Sequence, residues 1–312
     1  MRLFRKIVLV LFVLFVLIAF GGYLYFNQKF SPSENYLNVS GETKNIPVKW
    51  ISDNDNPYSV LLLPVKIQGI DKEFYMQLDF GSPTTVFYKN SLQSLAAKYP
   101  EKFVFNKNVD QIVLNFKLKD LIINSQNFKL LNYGSSLNFD DTNAENCIGT
   151  IGTDLLEKRI IIMDFKHNLC SFSQTITEKG FTKFEFKKRR ILLPAQLENQ
   201  SLKLLYDSGT SGYELITSKE NWDKIRIPGN KIKKEKGNSW GNTLTVISAP
   251  ANQNIKIGNL QRQLSEVTYI TGTSQLQNFL MKQSGMQGMI GNKLFLNHKL
   301  ILDCKNERFK IE

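Results

Sequence analysis

The hydrophobic pattern divides the chain into an unbroken apolar run and a long stretch of alternating character. Ile7 to Phe26 gives twenty residues without a charge, preceded by Arg2, Arg5 and Lys6. That matches the roughly 20 apolar residues a helix needs to cross a bilayer core. The bulky Ile18-Ala19-Phe20-Gly21-Gly22-Tyr23 and the aromatics Tyr25 and Phe26 lack the small-x-small ending of a cleavage site. Residues 7–26 are therefore read as an uncleaved transmembrane anchor, with a cleaved signal peptide as the alternative. The basic residues 1–6 would stay in the cytoplasm and the rest of the chain would lie on the cell-envelope side, beginning with a polar tether over 27–44.

From residue 45 onward the pattern predicts mostly strands. Ser59 to Ile67 is aliphatic and β-branched, a turn follows at Gln68-Gly69-Ile70-Asp71, and Phe74 to Leu78 then runs into Asp79. This is a hairpin that delivers an aspartate at a strand end. Thr84 to Tyr88 resumes the strand, a short helix is predicted over Ser91 to Lys98, and strands return from Phe103 to Leu131 with turns at Lys107-Asn108 and Asn124 to Asn127. Further on come Ile148 to Leu156, a strand at Arg159 to Phe165, a turn at Lys166-His167-Asn168 and a last strand from Leu169 to Phe172.

These features recur. Ile151, Gly152, Leu155, Ile161, Asp164 and Lys166 match Ile290, Gly291, Leu294, Leu300, Asp303 and Lys305 without a gap, 139 residues further on. Ile191-Leu192-Leu193-Pro194 precedes Asp207 much as Leu61-Leu62-Leu63-Pro64 precedes Asp79, the proline lying thirteen residues upstream in one case and fifteen in the other. Two units are predicted, 45–178 and 191–312, joined by a crossover over 179–190. Within the crossover, Lys187-Lys188-Arg189-Arg190 reads as a charged, solvated boundary.

Composition narrows the chemistry. The chain has 312 residues, enough for a sizeable core, and a net charge of +12, but its lysines are scattered, so no nucleic-acid partner is expected. Lys231 to Lys236 reads as a solvated hairpin. Three cysteines without C-x-x-C spacing and only two histidines, His167 and His298, argue against a disulfide framework, a metal site or a His-dependent triad. Cys170 and Cys304 could pair or remain buried thiols. Asp164 and Asp303 precede turns and are read as turn-forming, with His167 on the surface. Chemistry is thus expected from carboxylates.

Asp79-Phe80-Gly81-Ser82 and Asp207-Ser208-Gly209-Thr210-Ser211, with Thr150-Ile151-Gly152 and Met289-Ile290-Gly291, resemble the paired loops and supporting glycine elements of pepsin-like and retropepsin-like aspartic proteases. The resemblance spans about residues 45–312. It implies a mostly β, two-lobed acid-protease-like β-barrel fold with an internal duplication, behind an N-terminal transmembrane helix. It also implies an endopeptidase that grips an extended polypeptide and cuts it, without metal or organic cofactor, with the catalytic pair Asp79 and Asp207. Gly81 and Gly209 would allow a tight backbone and let amides approach the carboxylates, Ser82 and Thr210 would hydrogen-bond the carboxylates, and Ser208 would bridge the two loops. Tyr133, in Tyr133-Gly134-Ser135, is a candidate flap tyrosine, and the hairpin from Asp110 to Phe128 is a second candidate flap. Phe80 departs from the pattern, which has a hydroxyl residue there. A catalytically impaired domain that binds an extended peptide or a cell-envelope partner is therefore the alternative function.

Overall fold

A computed structural model describes residues 2–29, 31–53, 56–103, 105, 110–239, 241–272 and 285–312. The chain forms two compact units, Met1–Glu34 and Asn35–Glu312. The first holds the helix α1, Arg2–Lys29, whose 28 residues make it about 42 Å long. Its segment Phe4–Tyr25 has a mean hydropathy of 2.9 over 22 residues, so it is long and apolar enough to cross a membrane. An N-terminal helix of this kind serves as a signal sequence or as an anchor.

The second unit is mostly β, and its first half contains eleven strands among the described residues. These are β1 (Asn38–Ser40), β2 (Thr43–Pro47), β3 (Lys49–Asp53), β4 (Asn56–Ile67), β5 (Glu73–Leu78), β6 (Val86–Tyr88), β7 (Gln111–Leu118), β8 (Leu121–Leu131), β9 (Cys147–Ile151), β10 (Ile160–Asp164) and β11 (Leu169–Ser173), with the helix α2 at Lys89–Lys98. Strands β1 and β2 begin inside the stretch read as a tether. Val39 packs against the core and Ile46 is fully buried, which ties this segment to the folded unit. One sheet runs in the order β1-β8-β6-β9-β5-β4-β3, with β7 paired to β4 and β8. Strand β5 shows why: Phe74, Met76 and Leu78 face the core while Glu73, Tyr75 and Gln77 alternate outward.

The second half adds β12 (Thr182–Lys183), β13 (Glu185–Lys187), β14 (Arg190–Leu197), β15 (Gln200–Tyr206), the helix α3 (Lys219–Ile225), β16 (Lys233–Ser239), β17 (Asn242–Pro250), β18 (Asn254–Ile257), β19 (Leu260–Gln263), β20 (Glu266–Thr271), β21 (Gly288–Ile290), β22 (Lys299–Asp303) and β23 (Arg308–Ile311). Strands β19-β18-β14-β15-β21 form a second sheet with β13 at its side, and β16-β17-β20 form a third. The lysines of β16 are solvent-exposed, as its reading as a solvated hairpin predicts.

The halves meet in a six-stranded sheet ordered β12-β23-β22-β10-β11-β2. Its central pair, β10 and β22, is antiparallel with Ile160 opposite Asp303, Ile162 opposite Ile301 and Asp164 opposite Lys299. Ile162 and Ile301 are themselves 139 residues apart. The centre of this pair therefore joins repeat-equivalent residues, and a pseudo-twofold axis passes through it. The gapless repeat is reproduced element for element: short 3-10 turns at Thr153–Leu156 and Asn292–Phe295 separate β9 from β10 and β21 from β22.

Two sequence readings change. The turn expected at Asn124 to Asn127 is a β-bulge in a continuous β8. The β7–β8 register shifts between Ile112 and Leu114, and Ser125 Oγ accepts from the Asn127 N–H, so a polar cluster is absorbed without reversing the chain. The reversal occurs at Lys119-Asp120, where Lys119 has φ 53°. The turn expected at Lys107-Asn108 lies outside the described residues. Arg189 is buried, not solvated; it occupies a tight turn between β13 and β14 with Lys188, both at positive φ, and its charge is taken up by polar groups of the first half. Asp164 and Asp303 do form turns: Asp164 accepts from the His167 N–H and ring, and Asp303 from Asn306 and Arg308. The His167 side chain is exposed. All three cysteines are free, and Cys170 and Cys304 are buried.

Candidate active site

Both aspartates are delivered by equivalent hairpins. Pro64 pairs with Tyr75 and Pro194 with Lys203, and in each case the aspartate follows four residues after the proline's partner. The different spacings of proline and aspartate in the sequence are thus taken up in the hairpin turns, and the delivery geometry is the same. Each aspartate N–H then donates to the end of a neighbouring parallel strand, Asp79 to Ile151 O and Asp207 to Ile290 O, both at 3.0 Å. The glycine after each acceptor lets the aspartate loop cross it. A Cβ on Gly152 would stand 2.5 Å from the Thr84 carbonyl carbon, and one on Gly291 2.1 Å from Thr210 O.

The loops interlock at the axis. A Cβ on Gly81 would lie 2.6 Å from Asp207 Oδ1, and one on Gly209 2.5 Å from Asp79 Oδ1. Each loop's glycine is therefore required by the carboxylate of the other half. Each glycine N–H also donates to its own aspartate, Gly81 to Asp79 Oδ1 and Gly209 to Asp207 Oδ1, both at 2.8 Å. The carboxyl groups hydrogen-bond one another. Burial, and then the negative charge of Asp207, push the Asp79 carboxyl up to about 8. Asp207 is also raised by burial, but the Gly209 N–H and the hydrogen bond from Asp79 pull it the other way. The two carboxyls therefore titrate as a unit, with the proton favoured on Asp79.

The hydroxyl groups take different tasks from those expected. Ser82 Oγ donates to Thr84 O at 2.8 Å and Thr210 Oγ1 to Asp207 O at 2.9 Å, so both close their own turns and leave the carboxylates to backbone N–H groups. Main-chain donors suffice there because the glycine loops present them at the carboxylates. Ser208 does bridge the loops: its Oγ accepts from the Phe80 N–H and donates to Leu78 O, both at 2.9 Å. Phe80 offers no matching hydroxyl. Its ring is buried and meets Tyr206 edge-on, with centroids 5.4 Å apart.

Further groups support the loops from outside the motifs. Arg189, from the second half, donates through Nη1 to Pro83 O at 3.2 Å and through Nε to Glu157 Oε1 at 2.7 Å. Thr153 Oγ1 lies between Arg189 O and Ser82 O, and Asp154 accepts from both the N–H and the hydroxyl of Thr85. On the other side Tyr206 donates to Asn292 Oδ1, and Asn292 Nδ2 donates to Ser211 Oγ. Thr153 and Asn292 are repeat-equivalent polar residues directly after the supporting glycines, a signal present in the sequence. Nothing there marks Arg189 as different from its basic neighbours.

Tyr133 follows β8, on no hairpin tip. Its ring stands edge-on to Tyr88 at 5.0 Å, and it lines a cavity of about 330 Å³ with Gln77, Tyr88 and Cys147. The turn of the β7–β8 hairpin lies against the segment around β1 and β2: Lys119 Nζ donates to Lys44 O, and Gly41 abuts Asp120 O.

No family model and no curated protein matches this sequence. Among solved structures the chain is similar to the aspartic proteinase from Irpex lacteus, with a TM-score of 0.48 and 10% identity over 87% of this chain and 97% of that chain.

Proposed function

We propose that the chain is an aspartic endopeptidase held at a membrane by α1, with Asp79 and Asp207 as its catalytic pair. The observation that supports this best is the reciprocal contact of Gly81 with Asp207 and Gly209 with Asp79, which brings two carboxyls from distant parts of the chain into one proton-sharing pair. Such a pair can work as acid and base together. Asp207, ionised, takes a proton from a water as that water attacks a peptide carbonyl carbon. Asp79 gives its proton to the carbonyl oxygen, forming a neutral tetrahedral diol. In the second step Asp207 passes its proton to the departing nitrogen, Asp79 recovers one from a diol hydroxyl, and acid and amine leave with the pair restored. Atoms and charge balance without a metal or organic cofactor.

The full chain in detergent micelles, incubated with an unfolded polypeptide between pH 3 and 7, should release new N-termini, and Asp207→Asn should slow this by a factor of about 10² or more. An Asp207→Asn variant as fast as the native chain, with the same products, would sink the assignment. Phe80 supports a second reading, a domain that binds an extended peptide without cutting it. In that case the native chain and the Asp79→Ala/Asp207→Ala double variant would retain the same peptides and yield no products.

A further inference from the structure

We infer that the Phe80 ring, packed on Tyr206, is the second arm of the brace between the two aspartate loops, so that Phe80 and Tyr206 are positioning residues for the Asp79–Asp207 pair. The inference rests on the proposed pair, but its test does not depend on peptide cleavage.

The pseudo-twofold axis sets the requirement. Two carboxyls share a proton only while their loops are held within about 3 Å of each other, and their interaction falls off with separation. Ser208 supplies one arm, gripping the main chain of the first loop at Phe80 N–H and Leu78 O. The symmetric arm would be a hydroxyl on residue 80 reaching the second loop. Phenylalanine cannot make that contact with a hydrogen bond, so the second loop must be held in another way or not at all.

What Phe80 meets is a clamped residue. Tyr206 directly precedes Asp207 and is fully buried, with Phe80 edge-on to its ring at 5.4 Å and Phe295 edge-on at 5.3 Å. Its hydroxyl donates to Asn292 Oδ1 at 2.5 Å, and Asn292 Nδ2 donates to Ser211 Oγ at 2.9 Å. Tyr206 and Ser211 flank the Asp207 loop, one before it and one after it, so Asn292 ties its two ends together. Pressure from the Phe80 ring therefore reaches a closed unit that contains Asp207. The first loop is held through its main chain and the second through an aromatic contact backed by a hydrogen-bonded side-chain chain. The titratable groups near the pair from neighbouring elements are Tyr206 under Asp207 and Tyr88 on β6 beside Asp79; burial raises both phenols and keeps them neutral. Burial and the pair's mutual interaction thus set its titration.

The test is a carboxyl titration of the full chain in micelles by difference infrared spectroscopy, subtracting the Asp79→Asn/Asp207→Asn double variant. The native chain should show two apparent pKa values separated by about 2 units or more, as a shared proton demands. Tyr206→Phe keeps the ring and removes the clamp, and Phe80→Leu keeps an apolar side chain and removes the ring. Each should narrow the separation, and on a cleavable peptide each should lower kcat about tenfold with KM changed less than about twofold. Combining the two changes should narrow it little beyond the larger single effect, because they disrupt one unit. Should Phe80→Leu not fold, the narrowing in Tyr206→Phe alone decides. A separation unchanged in Tyr206→Phe overturns the inference, as do single effects that simply add. If the native chain cleaves nothing but its split titration narrows as stated, the peptidase reading fails and the brace stands. If it cleaves peptides and the variants titrate as the native chain does, the reading stands and the brace falls.

Discussion

Phe80 is where sequence and structure diverge most usefully. At the position where the resemblance expects a hydroxyl, the chain places a ring that is completely enclosed, and the loop around it keeps the hydrogen bond to Ser208. The motif letters showed the departure but could not show its partner, because Tyr206 lies 126 residues away and its role depends on packing. The proton balance of the pair is also a matter of single residues. A carboxyl whose pKa is raised on folding keeps its proton in the native state while the unfolded state loses it. Each rise in pH between the unfolded and folded values then favours unfolding. For Asp79 this window runs from the ordinary value of 3.8 to about 8. Stability present below about pH 4 should thus decline toward pH 8, and Asp79→Asn should flatten that slope and be the more stable protein at pH 8. Urea midpoints across the range measure this; equal slopes in the two proteins would show that Asp79 keeps an ordinary pKa.

At the scale of elements, the hairpins and the glycine supports were legible because they occur twice. A strand ending in aspartate and a strand ending in Ile-Gly are weak patterns alone, but the gapless offset between Ile151 and Ile290 fixes their order and leaves little freedom in how they pack. Elements that occur once were harder to read. The polar cluster at Asn124 to Asn127 has the letters of a turn, and only the register with β7 makes it a bulge. The basic run at Lys187 to Arg190 looks solvated throughout, yet its tight turn directs one arginine inward beneath the Asp79 loop. Arg189→Met would keep most of the packed volume while removing the donors to Pro83 O and Glu157. A loss of about 1–3 kcal/mol is expected, the range for a buried partner left unsatisfied. Chemical denaturation would measure it, and a change under a few tenths of a kcal/mol would show that water replaces the guanidinium there.

The whole second unit is organised by its shared sheet. Neither half closes alone: β2, β10 and β11 from the first and β12, β22 and β23 from the second are consecutive in one ladder. Chains covering 1–178 and 179–312 made separately should stay soluble poorly or lack native structure, whereas the two expressed together should associate and regain the native near-ultraviolet dichroism. A first half that alone melts cooperatively, at the temperature of the intact protein, would contradict this dependence. The pairing of Ile162 with Ile301 also imposes a schedule. Asp79 is made early, but β21, which supports Asp207, and β22, which aligns the halves, come more than 200 residues later. At about 5–20 residues per second, synthesis of that interval takes about 10–45 s. Until its end the nascent chain has no supported counterpart to the Asp79 loop. The order of synthesis thus works as a timer, delaying assembly of the carboxyl pair until β22 has been made.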